Sequence, residues 1–284
     1  MNSDFGDIMG FEPEKSEIKS SENIKKLKDQ FLNSGLFSRV LNDNLPPGGG
    51  RLTLHLGETL KLNKDSKVLI FKCGRGASVL TLKRGFDCKI VGVDPEVENI
   101  EAARQIIEKV GMSENIVFKE TGLHQLDFSD RTFDAVISES AISSYSINDR
   151  ASIVSDMYRV LNSGGRIGIT DVTLEGDLPE ELVNILSHVI SISDALSASG
   201  YQDLLESANF KEIEFEDHSY ALIKLLEKGK KLLPGIRLVR GLFNVDLESI
   251  LGFPLEDIPH LLELGISEIQ AGNIKYGMLT AVKR

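Results

Sequence analysis

The feature that most constrains this chain is a stretch of about one hundred residues in which short β-branched segments alternate with helical patterns. Lys67–Phe71, Cys88–Val93, Ile116–Glu120, Phe133–Ser138 and Gly165–Asp171 read as strands, because they are short and nearly continuous in apolar character, as strands covered on both faces are. Between them the spacing predicts helices over Ser78–Arg84, Val97–Lys109 and Arg150–Leu161, the last stopped by Asn162-Ser163-Gly164-Gly165. Parallel strands need long crossovers, and helices in these positions supply them. The pattern predicts an α/β protein built on a doubly wound, mostly parallel, Rossmann-like sheet. Two further strands, Lys211–Glu216 and Tyr276–Lys283, bring that sheet to seven.

The flanking segments read differently. Residues 1–20 carry no period, whereas Ile24, Leu27, Phe31, Leu36 and Val40 recur at helical spacing across Glu22–Leu41. Pro46, Pro47 and Gly48 to Gly50 break that helix before a second one over Leu52–Leu60. Leu178–Glu206 reads as two helices, and Ile223–Leu264 as helices broken at Pro234-Gly235 and Gly252-Phe253-Pro254. The expected division is a helical N-terminal cap over 1–50, the α/β core over 51–220, a helical insertion or lid over 221–270 and the last core strand over 271–284.

Charge and cysteine content narrow the partners. The 43 acidic against 32 basic residues leave a net charge of −11, which repels phosphate backbones and anionic lipid surfaces. Apolar runs are too short for a membrane span, and the first thirty residues are broken by Asp4, Glu12, Lys15 and Glu22. Two cysteines, Cys73 and Cys88, are too few for a disulfide framework. A cytoplasmic protein is expected, monomeric or homodimeric, whose partner is a small molecule rather than nucleic acid or membrane.

In an open α/β sheet the ligand sits beyond the carboxyl ends of the strands, where the strand order reverses. The loop after the first strand runs Phe71-Lys72-Cys73-Gly74-Arg75-Gly76-Ala77-Ser78, a Gly-x-Gly turn that opens a helix. Free N–H groups at that helix start favour an electronegative ligand group. Asp94, followed by Pro95, ends the second strand at a spacing that suits a carboxylate accepting ribose hydroxyls. A full dinucleotide fingerprint needs a third glycine where this chain has Val79, which disfavours a nicotinamide or flavin oxidoreductase.

Four segments carry a resemblance: Val68-Leu69 through Gly76; Val91-Gly92-Val93-Asp94; Leu126-Asp127-Phe128-Ser129-Asp130 with Thr132-Phe133-Asp134; and Tyr158-Arg159-Val160-Leu161 with Gly164-Gly165-Arg166. In this order the chain resembles the class I S-adenosylmethionine-dependent methyltransferases over roughly Gly48 to Phe210, especially the ubiquinone-biosynthesis and arsenite methyltransferase branch that acts on small molecules. The resemblance implies a methyltransferase fold binding S-adenosylmethionine or a modified relative. It implies that Lys72, Cys73, Gly74 and Gly76 flank the methionine part, that Asp94 and Pro95 hold the ribose side, and that Leu123 and His124 border the adenine. Ser138 and Glu139 then face the transferred methyl group.

The chain departs from the family pattern at three positions. Ile70 stands where the family has an acid in the first strand, Lys72 where it has its first glycine, and Gly122 where it has the adenine-side acid. Lys72 is either a solvated stem or a cation inside the ligand site. These departures support the rival reading of a ligand-binding or partner subunit without transfer activity.

Glu139 is the candidate base for the acceptor, or else a structural cap. Cys73 reads as a small turn residue rather than a reactive thiol. The histidines, His55, His124, His188, His218 and His260, show no spacing that puts two ligands on one helical face, so no metal is expected. Two cysteines are also poor provision for an arsenic acceptor. Ala195–Gly200 and Tyr201–Phe210 resemble the family's helix after the fifth strand, which with Phe243 and Phe253 would close an apolar acceptor cavity or simply pack.

Overall fold

The computed structural model describes residues 46–122, 126–188, 195–243, 254 and 256–284. The expected helix at Glu22–Leu41, together with Leu123, His124 and Phe253 and the side chain of Phe243, lies outside the described residues. Seven strands form one sheet in the order β3-β2-β1-β4-β5-β7-β6. They are β1 Lys67–Phe71, β2 Lys89–Asp94, β3 Ile116–Glu120, β4 Phe133–Glu139, β5 Leu161–Leu174, β6 Lys211–Asp217 and β7 Ile274–Val282. Strands β1 to β5 pair in parallel, and β7 is antiparallel to both β5 and β6. The order reverses between β1 and β4, which is where a doubly wound sheet opens its crevice.

Helices cover both faces: α1 Gly49–Thr59, α2 Ala77–Phe86, α3 Val97–Lys109, α4 Ile147–Val160, α5 Glu180–His188, α6 Ala198–Ser207, α7 Ser219–Phe243 and α8 Ile258–Ala271. Side-chain alternation in β1 shows why two layers are needed. Val68 and Ile70 join Leu52, Leu56, Val79, Leu82 and Ile100 in one core, against α1, α2 and α3. Leu69 and Phe71 join Ile153, Met157, Tyr201 and Leu205 in the other, against α4 and α6. Central strands are buried over most of their length, whereas edge strand β3 buries only Phe118 and exposes Val117, Lys119 and Glu120, of which the two charged residues blunt an open edge.

Two expectations are corrected. No four-residue loop stops α4: the helix ends at Val160, Leu161 already pairs with Phe133, and β5 bulges before Arg166 pairs with Ala135. The chain can turn this abruptly because Gly164 takes φ 80° and because the ammonium of Lys283 donates to the carbonyls of Tyr158, Arg159 and Leu161. Those carbonyls at a helix end otherwise lack donors, so Lys283, just after β7, replaces the expected glycine cap. Burial, and next the nearby Arg131 charge, hold Lys283 below the usual lysine range.

The second correction concerns Pro234, which lies inside α7 rather than between two helices. Proline removes one N–H from the helical ladder; α7 packs on α8 and β7, and Lys230, one turn before the proline, pairs with Glu263 at 3.0 Å.

The start of α4 matters to the site, because the turn before it lines the crevice. Ser146 caps the helix by accepting the Asp149 N–H at 3.3 Å and donating to its carboxylate at 2.6 Å. Ser146→Ala is expected to cost about 1 kcal/mol, read as a shift in the denaturant midpoint at unchanged slope.

Candidate active site

The crevice is built from the loop after β1, the end of β2 and the segment after β4. Parallel pairing fixes their relative height: Phe71 is level with Val93 on one side and Ser138 on the other. Lys72 therefore leaves the sheet between Asp94 and Glu139. The backbone then coils tightly, with Cys73 N–H bonded to the Val93 carbonyl and Gly76 N–H to that of Cys73.

Three alternate turn positions have left-handed backbones. Gly74 has φ 53° and Gly76 φ 84°, and Lys72 has φ 53°. The left-handed region costs a non-glycine residue about 1–2 kcal/mol, so Lys72 holds by strain the conformation that a glycine would adopt freely. A Cβ on Gly76 would come within 3.1 Å of Ala103 Cβ on α3, whereas one on Gly74 would meet nothing within 4 Å. Gly76 is needed for packing, and Gly74 marks the open side of the turn.

Asp94 is 1% exposed and holds this loop in place. Its Oδ2 accepts the Gly74 N–H at 2.9 Å, and its Oδ1 accepts the Glu96 N–H at 3.0 Å and the Asn99 amide at 3.1 Å. A carboxylate offers about four lone-pair sites, so one is open for a ribose hydroxyl. A second opens if Asn99 turns away, and Asn99 has another acceptor in Glu96 Oε2 at 3.1 Å. Pro95 is half-buried beside it.

Lys72 is partly buried at the edge of the crevice. Its ammonium donates to Ser144 Oγ at 2.9 Å and lies 5.3 Å from the centre of the Tyr145 ring. Ser144 and Tyr145 follow β4 in a short turn that Arg150 and Asp171 hold. Arg150, fully buried, donates to the carbonyls of Ile142 and Ser143, and Asp171 accepts the Ser143 N–H at 2.9 Å and hydroxyl at 2.6 Å. Burial raises the Asp171 carboxyl, with those Ser143 bonds opposing the shift.

Around this turn several polar atoms are buried without a hydrogen-bond partner: Ser138 Oγ, Glu139 Oε2 and the Tyr145 hydroxyl. Glu139 Oε1 accepts the Thr53 hydroxyl of α1 at 2.9 Å. Burial raises the Glu139 carboxyl above its ordinary range, with the hydroxyls of Ser78 and Thr53 pulling the other way. Tyr145 is pushed up to about 12 by burial and then by the charges of Asp94 and Glu96.

The expected site residues thus divide. Lys72, Cys73, Gly74, Gly76, Asp94 and Pro95 form one wall, and Ser138 and Glu139 form the floor toward α1. Sequence reasoning missed Thr53, Asn99, Ser144 and Tyr145. The last two had a signal, since any residue just after β4 stands at the carboxyl edge of the sheet.

Cys73 is buried and its thiol is pushed up to about 12, by burial first and by Asp94 second; Cys88 rises to about 11, chiefly through burial. Only thiolate reacts readily with alkylating agents. Native protein treated with iodoacetamide at pH 8 is expected to keep both thiols, while guanidinium-unfolded protein loses both within the same interval. Mass spectrometry of the two samples checks this.

Comparison with known proteins agrees with this geometry. A sequence profile described as a methyltransferase domain matches residues 62–222, more than half of the chain. The chain belongs to the class I S-adenosylmethionine-dependent methyltransferases. It is 29% identical over 181 residues to the methyltransferase GfsG of Streptomyces halstedii, covering 62% of this chain and 64% of that protein. It is 26% identical over 204 residues to phosphoethanolamine N-methyltransferase 3 of Arabidopsis thaliana, covering 70% and 40%.

Among solved structures, the fold superposes on Haemonchus contortus phosphoethanolamine N-methyltransferase 2, bound to phosphomonomethylethanolamine and S-adenosylhomocysteine, with TM-score 0.73 and 18% identity, over 89% of this chain and 58% of that one. It also superposes on the cyclase SpnF with TM-score 0.65 and 21% identity, over 82% and 81%. The chain spans less than two thirds of the length of GfsG and of both phosphoethanolamine enzymes. No helix among the described residues is long and apolar enough to cross a membrane.

Proposed function

We propose that this protein transfers a methyl group from S-adenosylmethionine to a small molecule held between the crevice and α1. The observation that carries the reading is the set of buried, unpartnered polar atoms on Ser138, Glu139 and Tyr145. Buried polar groups are nearly always satisfied, and leaving each unmet costs on the order of 1–3 kcal/mol. A polar ligand in the crevice supplies the missing partners, and the open side of Gly74 lets such a ligand approach the backbone. Bound there, S-adenosylmethionine supplies a methyl group on a positively charged sulfur, the electrophile of the reaction.

The residues present divide the remaining work. Asp94 takes the ribose hydroxyls, the α2 N-terminus faces electronegative atoms, and the raised carboxyl of Glu139 removes the acceptor's proton. Alignment of acceptor, methyl and sulfur contributes much of the rate in such a transfer. The phosphoethanolamine N-methyltransferases and an O-methyltransferase of Pyrenophora dematioidea make an amine or hydroxyl of a small molecule a reasonable acceptor class to screen. The test is formation of S-adenosylhomocysteine when the full chain is given S-adenosylmethionine and a panel of small alcohols, phenols and amines.

Lys72 favours a second reading, in which the fold binds its ligand without transfer. Its cation stands in the crevice where the ammonium of S-adenosylmethionine is expected, and like charges about 4 Å apart repel by at most about 4 kcal/mol near a protein surface. Solvent screening reduces that figure for a half-exposed lysine. Lys72→Gly is therefore expected to tighten S-adenosylmethionine about tenfold by calorimetric titration. Weaker binding by the variant would show instead that Lys72 pairs with an acidic group of the ligand, pointing to a modified relative of the cofactor.

A further inference from the structure

Among the described residues no single helix puts two histidines on one face, but the fold gathers His55, Glu216 and His218 from two elements. His55 projects from α1, while Glu216 and His218 come from the end of β6, where residues two apart point to the same side. His55 Nε2 lies 2.8 Å and His218 Nε2 3.3 Å from the same carboxylate oxygen, Glu216 Oε2. One ligand atom from each residue falls within 4.8 Å of the others. Tetrahedral ligands at the usual zinc–nitrogen distance stand about 3.3 Å apart, so little movement separates this cluster from a coordination shell.

The supporting backbone is firm. The His218 N–H bonds the Tyr276 carbonyl of β7 at 2.8 Å, and β6 is paired with β7 up to Asp217. The side chains of His55 and Glu216 are 43% and 42% exposed, which leaves an entry path, while His218 is 17% exposed.

We propose that His55, Glu216 and His218 form a binding site for a divalent transition metal of the zinc type, with three protein ligands and an open fourth position. Two imidazoles and one carboxylate suit zinc and its neighbours rather than magnesium or calcium, which prefer all-oxygen shells. Three ligands with one vacancy is the arrangement that lets a metal take a ligand from solution. Because β6 runs parallel to β5, the site lies at the carboxyl edge of the sheet, the edge on which the crevice opens.

The alternative is a hydrogen-bonded trio with no metal, and titration separates the two. Tag-free full-length protein, stripped with chelator, is titrated with zinc chloride by calorimetry and with cobalt chloride by absorption. The proposal expects saturation at one equivalent and the strong visible bands of four-coordinate cobalt. His55→Ala and His218→Ala are each expected to weaken zinc by at least the 10–100-fold that loss of a mere outer-shell partner costs. Glu216→Gln keeps a hydrogen-bond acceptor for the imidazoles but removes the charge, so it weakens zinc while leaving the melting temperature of the metal-free protein unchanged. His55→Ala and Glu216→Gln change half-exposed side chains, which keeps the test valid if His218→Ala fails to fold. No saturable binding by the natural chain, or unchanged affinity in His55→Ala and Glu216→Gln, overturns the proposal.

Discussion

Glu139→Gln is expected to lower the turnover of S-adenosylmethionine by on the order of a hundredfold or more, the range that a positioned general base contributes. The substitution keeps the size of the side chain and an acceptor for the Thr53 hydroxyl, so the floor of the crevice stays in place. The pH dependence separates loss of a base from loss of packing. The working form of Glu139 is the carboxylate, and burial raises its pKa in the folded protein. Turnover therefore falls as pH drops through that raised value, and the limb is absent from whatever activity Glu139→Gln retains. Stability moves in the opposite sense. A carboxyl raised on folding keeps a proton that the unfolded chain releases, so stability declines as pH rises from the unfolded to the folded pKa. The glutamine variant lacks that decline. Equal turnover and an equal acid limb in both proteins would remove Glu139 from the chemistry.

Asp94→Ala is expected to weaken S-adenosylmethionine at least a hundredfold. Two hydroxyls bonded to a charged acceptor contribute about 1.5–3 kcal/mol each, and 1.4 kcal/mol is a factor of ten in affinity. The same substitution strands the Gly74 and Glu96 N–H groups that Asp94 now accepts, so the glycine turn loosens as well. Asp94→Asn separates the two effects, because its amide oxygen still accepts one N–H while the charge is gone. It is expected to melt close to the natural protein yet bind S-adenosylmethionine more weakly. An Asp94→Ala protein that binds as well as the natural chain would move the ribose elsewhere.

The sheet was legible because β1, β2, β4 and β5 are mostly buried on both faces, which forces apolar runs with little alternation. What escaped was any feature made by distant residues. The abrupt passage from α4 into β5 depends on Lys283, more than a hundred residues away, so the local Asn-Ser-Gly-Gly signal implied a loop. Pro234 reads as a breaker locally, yet it lies inside α7, a helix that also packs on α8 and β7. The glycine turn at Gly74 and Gly76 and its proximity to Asp94 were readable because motif and spacing are local. Lys72 was visible as an oddity, yet only the fold shows its ammonium reaching Ser144 and Tyr145. His55 and the Glu216–His218 pair lie 161 residues apart, beyond the reach of any spacing rule within one helix.

The most direct test of the central reading is calorimetric titration of the full-length natural protein with S-adenosylmethionine and S-adenosylhomocysteine. The account predicts saturable binding of each at one site per chain, lost in Asp94→Ala and tightened in Lys72→Gly. Absence of binding by the natural protein and by Lys72→Gly alike would contradict it, and would leave a methyltransferase fold whose crevice serves a different ligand.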